Sequence, residues 1–588
     1  MSDQPLVLGV NSVYHESSAC LVRGSQVLAI GEEERFNRRK HAKPAGVDTA
    51  DQLPTHAIEY CLRTAGITAR DLDSIALSFD LQRRPEPITE RVTPGSWGDP
   101  EGERIFRAGV ARIPERLAAV LGDDVGEKIH WVHHELAHAA STYYASPYSD
   151  AAVLSLDGIG EWTTGLLAHG RDHKIDEIRL LHYPNSIGFL WEKFAKFVGL
   201  GEYEAAKVMA LAAFAEPGSF GPAMKRLFHQ DSSELDVDLD ALRFRVEDYG
   251  PLEELFGPRR RPGEYIDHRD AQVAAALQQT TEEVLLELAD ELFHATGSNN
   301  LCLAGGVALN CIANGRLARD SRFDNIFVQP LAHDGGTALG AALHTVHQCH
   351  DITDRWEMTS PYLGPSYTEQ DCVRALEEAD LEYTRLDDAP REVATLLAQG
   401  LIGGWFDGAA EVGPRALGHR SILADPRRPG SREIINLRVK HREYFRPFAP
   451  SVLEEHAAEW FDIHANSPSY RFMSFGLSVQ ADKQPLIPAV LHVDGTSRLQ
   501  SVTAETNPRY HALISAFHEM TGVPMVLNTS FNTYDEPIVL TPGDAIRTFR
   551  RTGLDFLVLG DFLVRTTDGA TPSRRLSDGD RDSSPIGD

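Results

Sequence analysis

Apolar runs that break into polar turns recur along the chain and predict strand–turn–strand units. Leu6–Asn11 is typical of a short buried strand, residues 12–18 form a polar turn, and residues 19–22 return as a second strand. The pattern comes back at residues 152–156, followed by a glycine-bearing turn and a second run at 162–167. Two such units in successive parts of the chain predict an internal duplication.

Glycine-rich strand ends add candidate ligand-binding positions. An apolar run at residues 301–304 leads into Gly305 and Gly306, and a later run leads to Asp334 at a predicted loop–helix junction. Glycine permits close backbone approach to a ligand, and N–H groups at the start of a helix attract anions. Asp157, at the tip of the second turn, is open to two interpretations, a metal ligand or a turn cap.

The run at residues 132–141 predicts a helix with His134 and His138 one turn apart on one face. Two such imidazoles can hold one divalent metal if other elements complete the shell, although paired helical histidines are often merely packed. The letters from His134 to His138 also match the H-E-x-x-H motif of zinc peptidases. A metzincin would need glycine at 141 and histidine at 144, where this chain has Ser141 and Tyr144, so the peptidase is an alternative only.

Charge is distributed unevenly along the chain. The net charge is −29, which repels phosphate backbones and argues against a nucleic-acid partner. Against that background, the loop with Arg415, the basic segment 436–448 and Arg498 predict a phosphate site, with surface ion pairs as the alternative. The acidic run 32–36, which leads into a basic one, is on charge alone typical of a solvated face.

Length and composition predict at least two domains in a cytoplasmic protein. A chain of 588 residues is too long to fold around a single hydrophobic core, and the prolines and glycine at 358–365 mark the best domain boundary. We therefore expect domains at 1–357 and 358–566, followed by a disordered, apolar-poor tail at 567–588. The six cysteines form no Cys-x-x-Cys pair, and neither a signal peptide nor a membrane-spanning run is recognisable.

In their order and spread, these motifs resemble the O-carbamoyltransferases of the nodulation-factor, cephamycin and tobramycin type. The matching positions are residues 9–11 with His15, 32–36, His134 with His138, 157–158, 304–307, 334–335, 411–418, 446–450 and 528–532. The resemblance implies an α/β protein with an N-terminal actin/hexokinase-like duplicated domain. It also implies a C-terminal α/β domain that forms carbamoyl adenylate.

The resemblance also implies the chemistry. Carbamoyl phosphate and Mg-ATP would give carbamoyl adenylate, and the carbamoyl group would pass to a hydroxyl of a small-molecule acceptor, as in antibiotic biosynthesis and other natural-product tailoring. It implies an iron-type metal, with Fe2+ expected, and its metal ligands match His134, His138, Asp157 and Asp334. His15 matches a histidine near the transferred group and is a candidate base for the acceptor hydroxyl.

The remaining site residues also come from the resemblance. Positions that match carbamoyl-phosphate and ATP contacts are Arg415, Lys440, Arg446, Arg498, Ser530 and Asn528. Positions that match nucleotide or adenylate contacts in the first domain are Gly158, Gly305, Gly306, Asn310 and Lys207. Relatives carry glycines around Lys207, where this chain has Ala206 and Ala210, so the shape of the acceptor pocket is open. A tRNA-modifying protein on the same domains is a further alternative that the acidity disfavours, and the oligomeric state is open.

Overall fold

The computed structural model describes residues 4–85, 92–231 and 234–566, so the tail expected at 567–588 lies outside the described residues. The chain divides into two compact units. Unit 1 is Met1–Met358 with Ala465–Ser467, and unit 2 is Thr359–His464 with Pro468–Asp588. In the part of the chain that the structure describes, no helix has the length and apolar character that crossing a membrane requires.

Unit 1 begins with a five-stranded sheet. Its strands are β1 (Leu6–Asn11), β2 (Ser18–Arg23), β3 (Gln26–Glu32), β4 (Ser74–Leu77) and β5 (Ile129–Trp131). They lie in the order β3-β2-β1-β4-β5; the β1–β2 and β2–β3 pairs are antiparallel, and the β1–β4 and β4–β5 pairs are parallel. Nearly every β1 side chain is buried, as expected for a central strand that is covered on both faces.

The second five-stranded sheet of unit 1 repeats this arrangement. Its strands are β6 (Asp150–Leu156), β7 (Thr163–Arg171), β8 (Lys174–His182), β11 (Asn300–Ala304) and β12 (Asn325–Val328). The order is β8-β7-β6-β11-β12, again with two antiparallel pairs followed by two parallel pairs. A separate hairpin pairs β9 (Phe228–Asp231) with β10 (Glu234–Val237). The shared topology confirms the predicted duplication and the actin/hexokinase-like fold class.

Helices cover the two sheets of unit 1. They are α1 (Glu33–Asn37), α2 (Thr55–Ala65), α3 (Pro100–Ala111), α4 (Ile113–Leu121), α5 (His134–Tyr143), α6 (Ile187–Phe197), α7 (Ala205–Ala212), α8 (Phe220–Leu227), α9 (Leu239–Leu242), α10 (Gly250–Phe256), α11 (His268–Thr296), α12 (Cys311–Asp320) and α13 (Thr337–Cys349). The long α11 has clear limits: Asp267 and Asp270 form a capping box at its start, and Gly297 ends it with a φ of +65°.

Helices α5 and α13 approach each other unusually closely. A Cβ atom on Gly340 of α13 would lie 1.8 Å from the Ala137 carbonyl oxygen of α5, which is far inside contact distance. Helix α13 also packs on β1, where a Cβ on Gly9 would lie 1.9 Å from the Ala338 carbonyl oxygen. Glycine at these two positions therefore fixes how near α5 and β1 lie to α13.

Unit 2 is built on one nine-stranded mixed sheet. Its strands are β13 (Thr384–Arg385), β14 (Gly403–Phe406), β15 (Arg420–Ala424), β16 (Ala449–Leu453), β17 (Phe475–Ser478), β18 (Thr496–Val502), β19 (Met525–Ser530), β20 (Phe556–Leu559) and β21 (Phe562–Arg565). Their order is β13-β21-β20-β14-β15-β19-β16-β18-β17. The helices are α14 (Glu369–Glu378), α15 (Ala389–Ala398), α16 (Pro429–Ile434), α17 (Glu454–Trp460), α18 (Pro508–Thr521) and α19 (Pro542–Thr552).

Candidate functional site

Four side chains from three parts of unit 1 converge on one point. His134 and His138 lie on α5, Asp157 follows β6, and Asp334 begins the short 3-10 turn before α13. One ligand atom from each residue lies within 4.8 Å of those of the other three. We call these four residues the metal cluster.

The spacing of the metal cluster fits one transition-metal ion. His134 Nε2 lies 3.6 Å from Asp157 Oδ2 and 3.7 Å from Asp334 Oδ1. His138 Nε2 lies 3.8 and 3.4 Å from the same two oxygens. Ligands about 2.1 Å from a tetrahedral ion are about 3.4 Å apart. Both Nε2 atoms are buried without a hydrogen-bond partner. Burial of unpaired ring nitrogens is energetically unfavourable, and a bound cation would account for it.

Neighbouring groups orient the ligands. Asp157 accepts a hydrogen bond on Oδ1 from the Gly306 N–H at 2.6 Å, which turns Oδ2 toward the histidines. The His134 Nδ1 lies 3.3 Å from the Ser78 carbonyl oxygen, so Nδ1 carries the proton and Nε2 is the free ligand atom. Gly160 leaves room for His134, since a Cβ at that position would lie 2.8 Å from the His134 Cβ.

Electrostatics in the metal cluster favour a cation. Burial lowers the pKa of His138, but Asp157 and Asp334 outweigh burial and raise that pKa to about 10. Burial also lowers the pKa of His134, but Asp157 and Asp334 outweigh burial and raise that pKa to about 9. Burial acts to raise the pKa of Asp157, yet the two histidines hold it well below its usual value. The two carboxylates thus stabilise positive charge on the imidazole rings. A divalent ion bound here would take the place of the two imidazole protons.

The carboxylates that a peptidase would need are occupied elsewhere. Glu135 is fully buried, and its Oε2 accepts a hydrogen bond from Ser155 Oγ at 2.7 Å, so this carboxylate is not exposed to an incoming substrate. Glu161 accepts from the backbone N–H groups of Asp80 at 2.6 Å and His134 at 3.1 Å. Glu161 therefore secures the start of α5 and takes no part in the metal cluster.

His15 lies in the β1–β2 turn beside two further rings. Its ring centroid is 4.9 Å from that of Tyr203, which in turn is 4.5 Å from that of His41. His41 Nδ1 lies 2.5 Å from Glu16 Oε1, and Tyr203 accepts a hydrogen bond from the Ala45 N–H. The residues in this neighbourhood with left-handed backbone are Glu16, Arg38, His41, Ala42 and Tyr203. Such strain in non-glycine residues is concentrated at functional sites.

The acidic run 32–36 is not a solvated face, and that interpretation is wrong. Glu32, Glu33 and Arg35 are all less than one-tenth exposed. Burial, with the nearby charge of Glu16, raises the pKa of Glu34 to about 7, and its carboxylate accepts from the His41 N–H. The run begins at the end of β3 and continues into α1, and this position brings it beside the turn that carries His15.

The candidate nucleotide residues of unit 1 fall into two groups. Gly158, Gly305 and Gly306 lie beside Asp157. Gly305 has a φ of +84°, and a Cβ at this position would lie 2.1 Å from the Leu156 carbonyl oxygen, so the position requires glycine. Asn310 and Lys207 already have protein partners. The Asn310 side chain caps α12 and pairs with the Gln278 amide, and Lys207 forms an ion pair with Glu204 at 2.6 Å.

In unit 2, hydrogen bonds hold three of the candidate phosphate residues in place. Lys440 donates to Ser530 Oγ at 3.1 Å and to Asn532 Oδ1 at 2.7 Å. Asn528 is buried and donates to the Ala416 carbonyl oxygen at 3.0 Å, so it holds the loop that carries Arg415. The structure thus brings Lys440 to Ser530, and it gives Asn528 a role in shaping the Arg415 loop.

Arg442 is a residue that the sequence reasoning did not single out. Its guanidinium donates to Asn436 Oδ1 at 2.7 Å and lies over the Phe448 ring at 4.5 Å. Burial, together with the positive charges of Arg446 and Arg498, lowers the pKa of Arg442 well below its usual value. Guanidiniums that repel one another attract an anion. The signal was present in the density of cations at 436–448.

Comparison with known proteins covers most of the chain. The family described as Carbamoyltransferase N-terminus matches residues 6–92 and 102–343, and Carbamoyltransferase C-terminus matches residues 394–566. An uncharacterised protein of Synechocystis sp. is 37% identical, with 97% of each chain covered. Nodulation protein NolNO of Sinorhizobium fredii is 37% identical over 94% of this chain and 79% of its own.

A third relative has the highest identity of the three. Nodulation protein NolO of Bradyrhizobium diazoefficiens is 40% identical, over 74% of this chain and 78% of its own. The family matches extend across both compact units, and these relatives are matched over more than two thirds of their length. The chain belongs to the carbamoyltransferase family.

Proposed function

We propose that this chain is an ATP-dependent O-carbamoyltransferase whose two units perform successive half-reactions. Unit 2 makes carbamoyl adenylate from carbamoyl phosphate and Mg-ATP. Unit 1 then transfers the carbamoyl group to a hydroxyl of a small-molecule acceptor, for which we propose a natural product. The observation that carries the proposal is the presence in one chain of two chemically different clusters, the metal cluster in unit 1 and a group of cations in unit 2.

The activation step uses the cations of unit 2. Water cleaves carbamoyl phosphate to carbamate and phosphate, and a carbamate oxygen then attacks the α-phosphorus of ATP and expels pyrophosphate. Arg415, Arg446 and Arg498 are the groups that we assign to the phosphates, since guanidinium binds phosphate oxygens in pairs. Lys440 and Ser530, which are hydrogen bonded to each other, shape the same region. Negative charge that develops on phosphate oxygens is stabilised by such preorganised donors.

The transfer step uses the groups of unit 1. The acceptor hydroxyl oxygen attacks the carbonyl carbon of carbamoyl adenylate, and the bond to the AMP oxygen breaks. We assign the hydroxyl proton to His15, whose Nδ1 has no hydrogen-bond partner among the described residues. His134, His138, Asp157 and Asp334 would hold a divalent transition metal, for which we propose Fe2+. The ion, when bound, supplies positive charge that stabilises developing oxyanions.

A small-molecule acceptor fits the charge of the chain better than RNA does. A net charge of −29 repels a long phosphate backbone, whereas a single anionic nucleotide needs only the local cations of unit 2. The acceptor would meet the rings of Tyr203 and His41 beside His15. Aromatic rings of this kind bind ring-shaped organic molecules through their faces and edges.

The test is pyrophosphate release from ATP by the purified protein. Release that requires carbamoyl phosphate, with no RNA present, is the expected result. A peptidase predicts no such release, and a tRNA-modifying protein does not require carbamoyl phosphate. ATP turnover that is indifferent to carbamoyl phosphate would refute the proposed function.

A further inference from the structure

We propose that Asn11 is a positioning residue that fixes the His15 turn relative to the metal cluster. Asn11 is the last residue of β1 and is 3% exposed. Its role with respect to His15 rests on the proposed function, whereas its role with respect to Asp334 does not.

The contacts of one amide group carry the inference. Asn11 Nδ2 lies 3.3 Å from the His15 carbonyl oxygen, 3.0 Å from that of Glu16 and 3.1 Å from that of Asp334. An amide nitrogen has two hydrogens, so these three acceptors share them. The turn that carries the candidate base and the loop that carries a metal ligand are therefore tied to the same atom.

The other end of the amide is linked through Ser78 to a second ligand of the metal cluster. Asn11 Oδ1 accepts a hydrogen bond from Ser78 Oγ at 3.2 Å, and the Ser78 carbonyl oxygen contacts His134 Nδ1. Thr337 Oγ1 lies 3.0 Å from Ser78 Oγ and donates to the Asp334 carbonyl oxygen at 2.7 Å. The buried network thus includes the backbone of one carboxylate ligand and the ring of one histidine ligand.

A second link runs parallel to the first. Ser18 Oγ, at the start of β2, donates to the Gly335 carbonyl oxygen at 2.8 Å. Asn11 and Ser18 stand at the two ends of the β1–β2 turn and are paired across the strands. The turn is therefore hydrogen bonded at both ends to residues 334–335, which limits how far His15 can move relative to Asp334.

Substitution of Asn11 should disturb both tied groups. Asn11→Asp keeps the shape but sets a carboxylate oxygen against three carbonyl oxygens, and Asn11→Ala leaves them without this donor. Loss of an outer hydrogen-bond partner at a metal site typically costs about 10- to 100-fold in affinity. Asn300→Asp is the matched control, because the Asn300 Nδ2 also donates to a backbone carbonyl, that of Asp150, at 2.7 Å in the second sheet.

The first measurement is cobalt(II) titration of the full chain, followed by visible absorption. We expect both Asn11 variants to bind Co2+ about 10- to 100-fold more weakly with a shifted band, and Asn300→Asp to behave like the parent. The Asn11→Ala variant keeps the test decisive if Asn11→Asp does not fold. Parent-like affinity and spectrum in a folded Asn11 variant would overturn the link to Asp334, whether or not the protein transfers carbamoyl groups.

The second measurement is a double-mutant cycle on transfer from carbamoyl adenylate. If Asn11 acts through His15, Asn11→Ala should lower the rate in the parent but add little in a His15→Ala background. A merely structural role would lower the rate equally in both backgrounds, and that result would overturn the link to His15. Absence of any transfer by the parent protein would instead count against the proposed function.

Discussion

The close approach of α5 and α13 makes Gly340→Ala the most informative perturbation of the metal cluster. The new Cβ would lie 1.8 Å from the Ala137 carbonyl oxygen and 2.7 Å from the Ser141 nitrogen, both in α5. Nonbonded carbon and oxygen need about 3.3 Å, so either the two helices separate by more than about 1 Å or their backbones are strained. Overpacking of this kind costs about 1–3 kcal/mol of unfolding free energy.

The same displacement reaches the ligands. His134 and His138 lie on α5, whereas Asp334 lies in the turn just before α13, so separation of the two helices moves the imidazoles away from that carboxylate. His138 Nε2 is now 3.4 Å from Asp334 Oδ1, and a metal site tolerates only about 0.2 Å in each ligand distance. We expect Gly340→Ala to melt at lower temperature and to bind Co2+ at least about tenfold more weakly than the parent.

The control is another helical glycine of unit 1. Gly221 lies in α8, and its nearest neighbour to a new Cβ would be the Pro217 Cβ at an ordinary 3.5 Å. Gly221→Ala should leave metal affinity unchanged, and any loss of stability should be confined to α8, where a Cβ before Pro222 disfavours the helical backbone. The assays are thermal unfolding of the metal-free proteins and Co2+ titration. A Gly340→Ala protein with unchanged melting temperature and unchanged affinity would refute this account of how the two helices set the ligand geometry.

Three other variants address single residues. His138→Asn should lower metal affinity by more than about 100-fold, measured by metal analysis after dialysis, and full occupancy would remove His138 from the cluster. Tyr203→Ala loses a ring contact worth about 1 kcal/mol, so the KM for the acceptor should rise about fivefold while pyrophosphate release stays unchanged. An unaltered KM would argue against an acceptor beside His15. Arg442→Ala should weaken ATP or carbamoyl-phosphate binding about 10- to 100-fold, whereas Arg374→Ala on the surface of α14 should not. Equal binding by the two variants would exclude Arg442 from the phosphate site.

The periodicity of the sequence predicted the internal duplication and one half of the metal cluster, whereas the fold class came from the family resemblance. Repeated strand–turn–strand patterns are local, and so is the one-turn spacing of His134 and His138. The meeting of Asp334 with those histidines depends on how α13 packs against α5, which no local pattern contains. The resemblance supplied that residue, and the structure supplied its distances.

Burial of charge was the feature that the sequence could not reveal. The acidic run 32–36 has the composition of a surface, yet it is buried where β3 meets α1. Arg415 and Arg420 look equivalent in the glycine-rich loop, but Arg420 is fully buried, donates to the Asp407 carbonyl oxygen and lies 3.7 Å from the centre of the Phe406 ring. Arg420 therefore stabilises the loop. Only tertiary contacts distinguish such a structural arginine from a candidate ligand-binding one.

Parallel assay of two variants separates the half-reactions that we propose for the two units. Arg446→Ala removes a guanidinium from the phosphate residues of unit 2, which should cost about 10²-fold or more in pyrophosphate release. This variant should still transfer the carbamoyl group when carbamoyl adenylate is supplied. Asp334→Asn weakens the metal cluster of unit 1, so it should release pyrophosphate normally but fail to carbamoylate the acceptor. Loss of the same half-reaction in both variants would contradict the division of labour between the units.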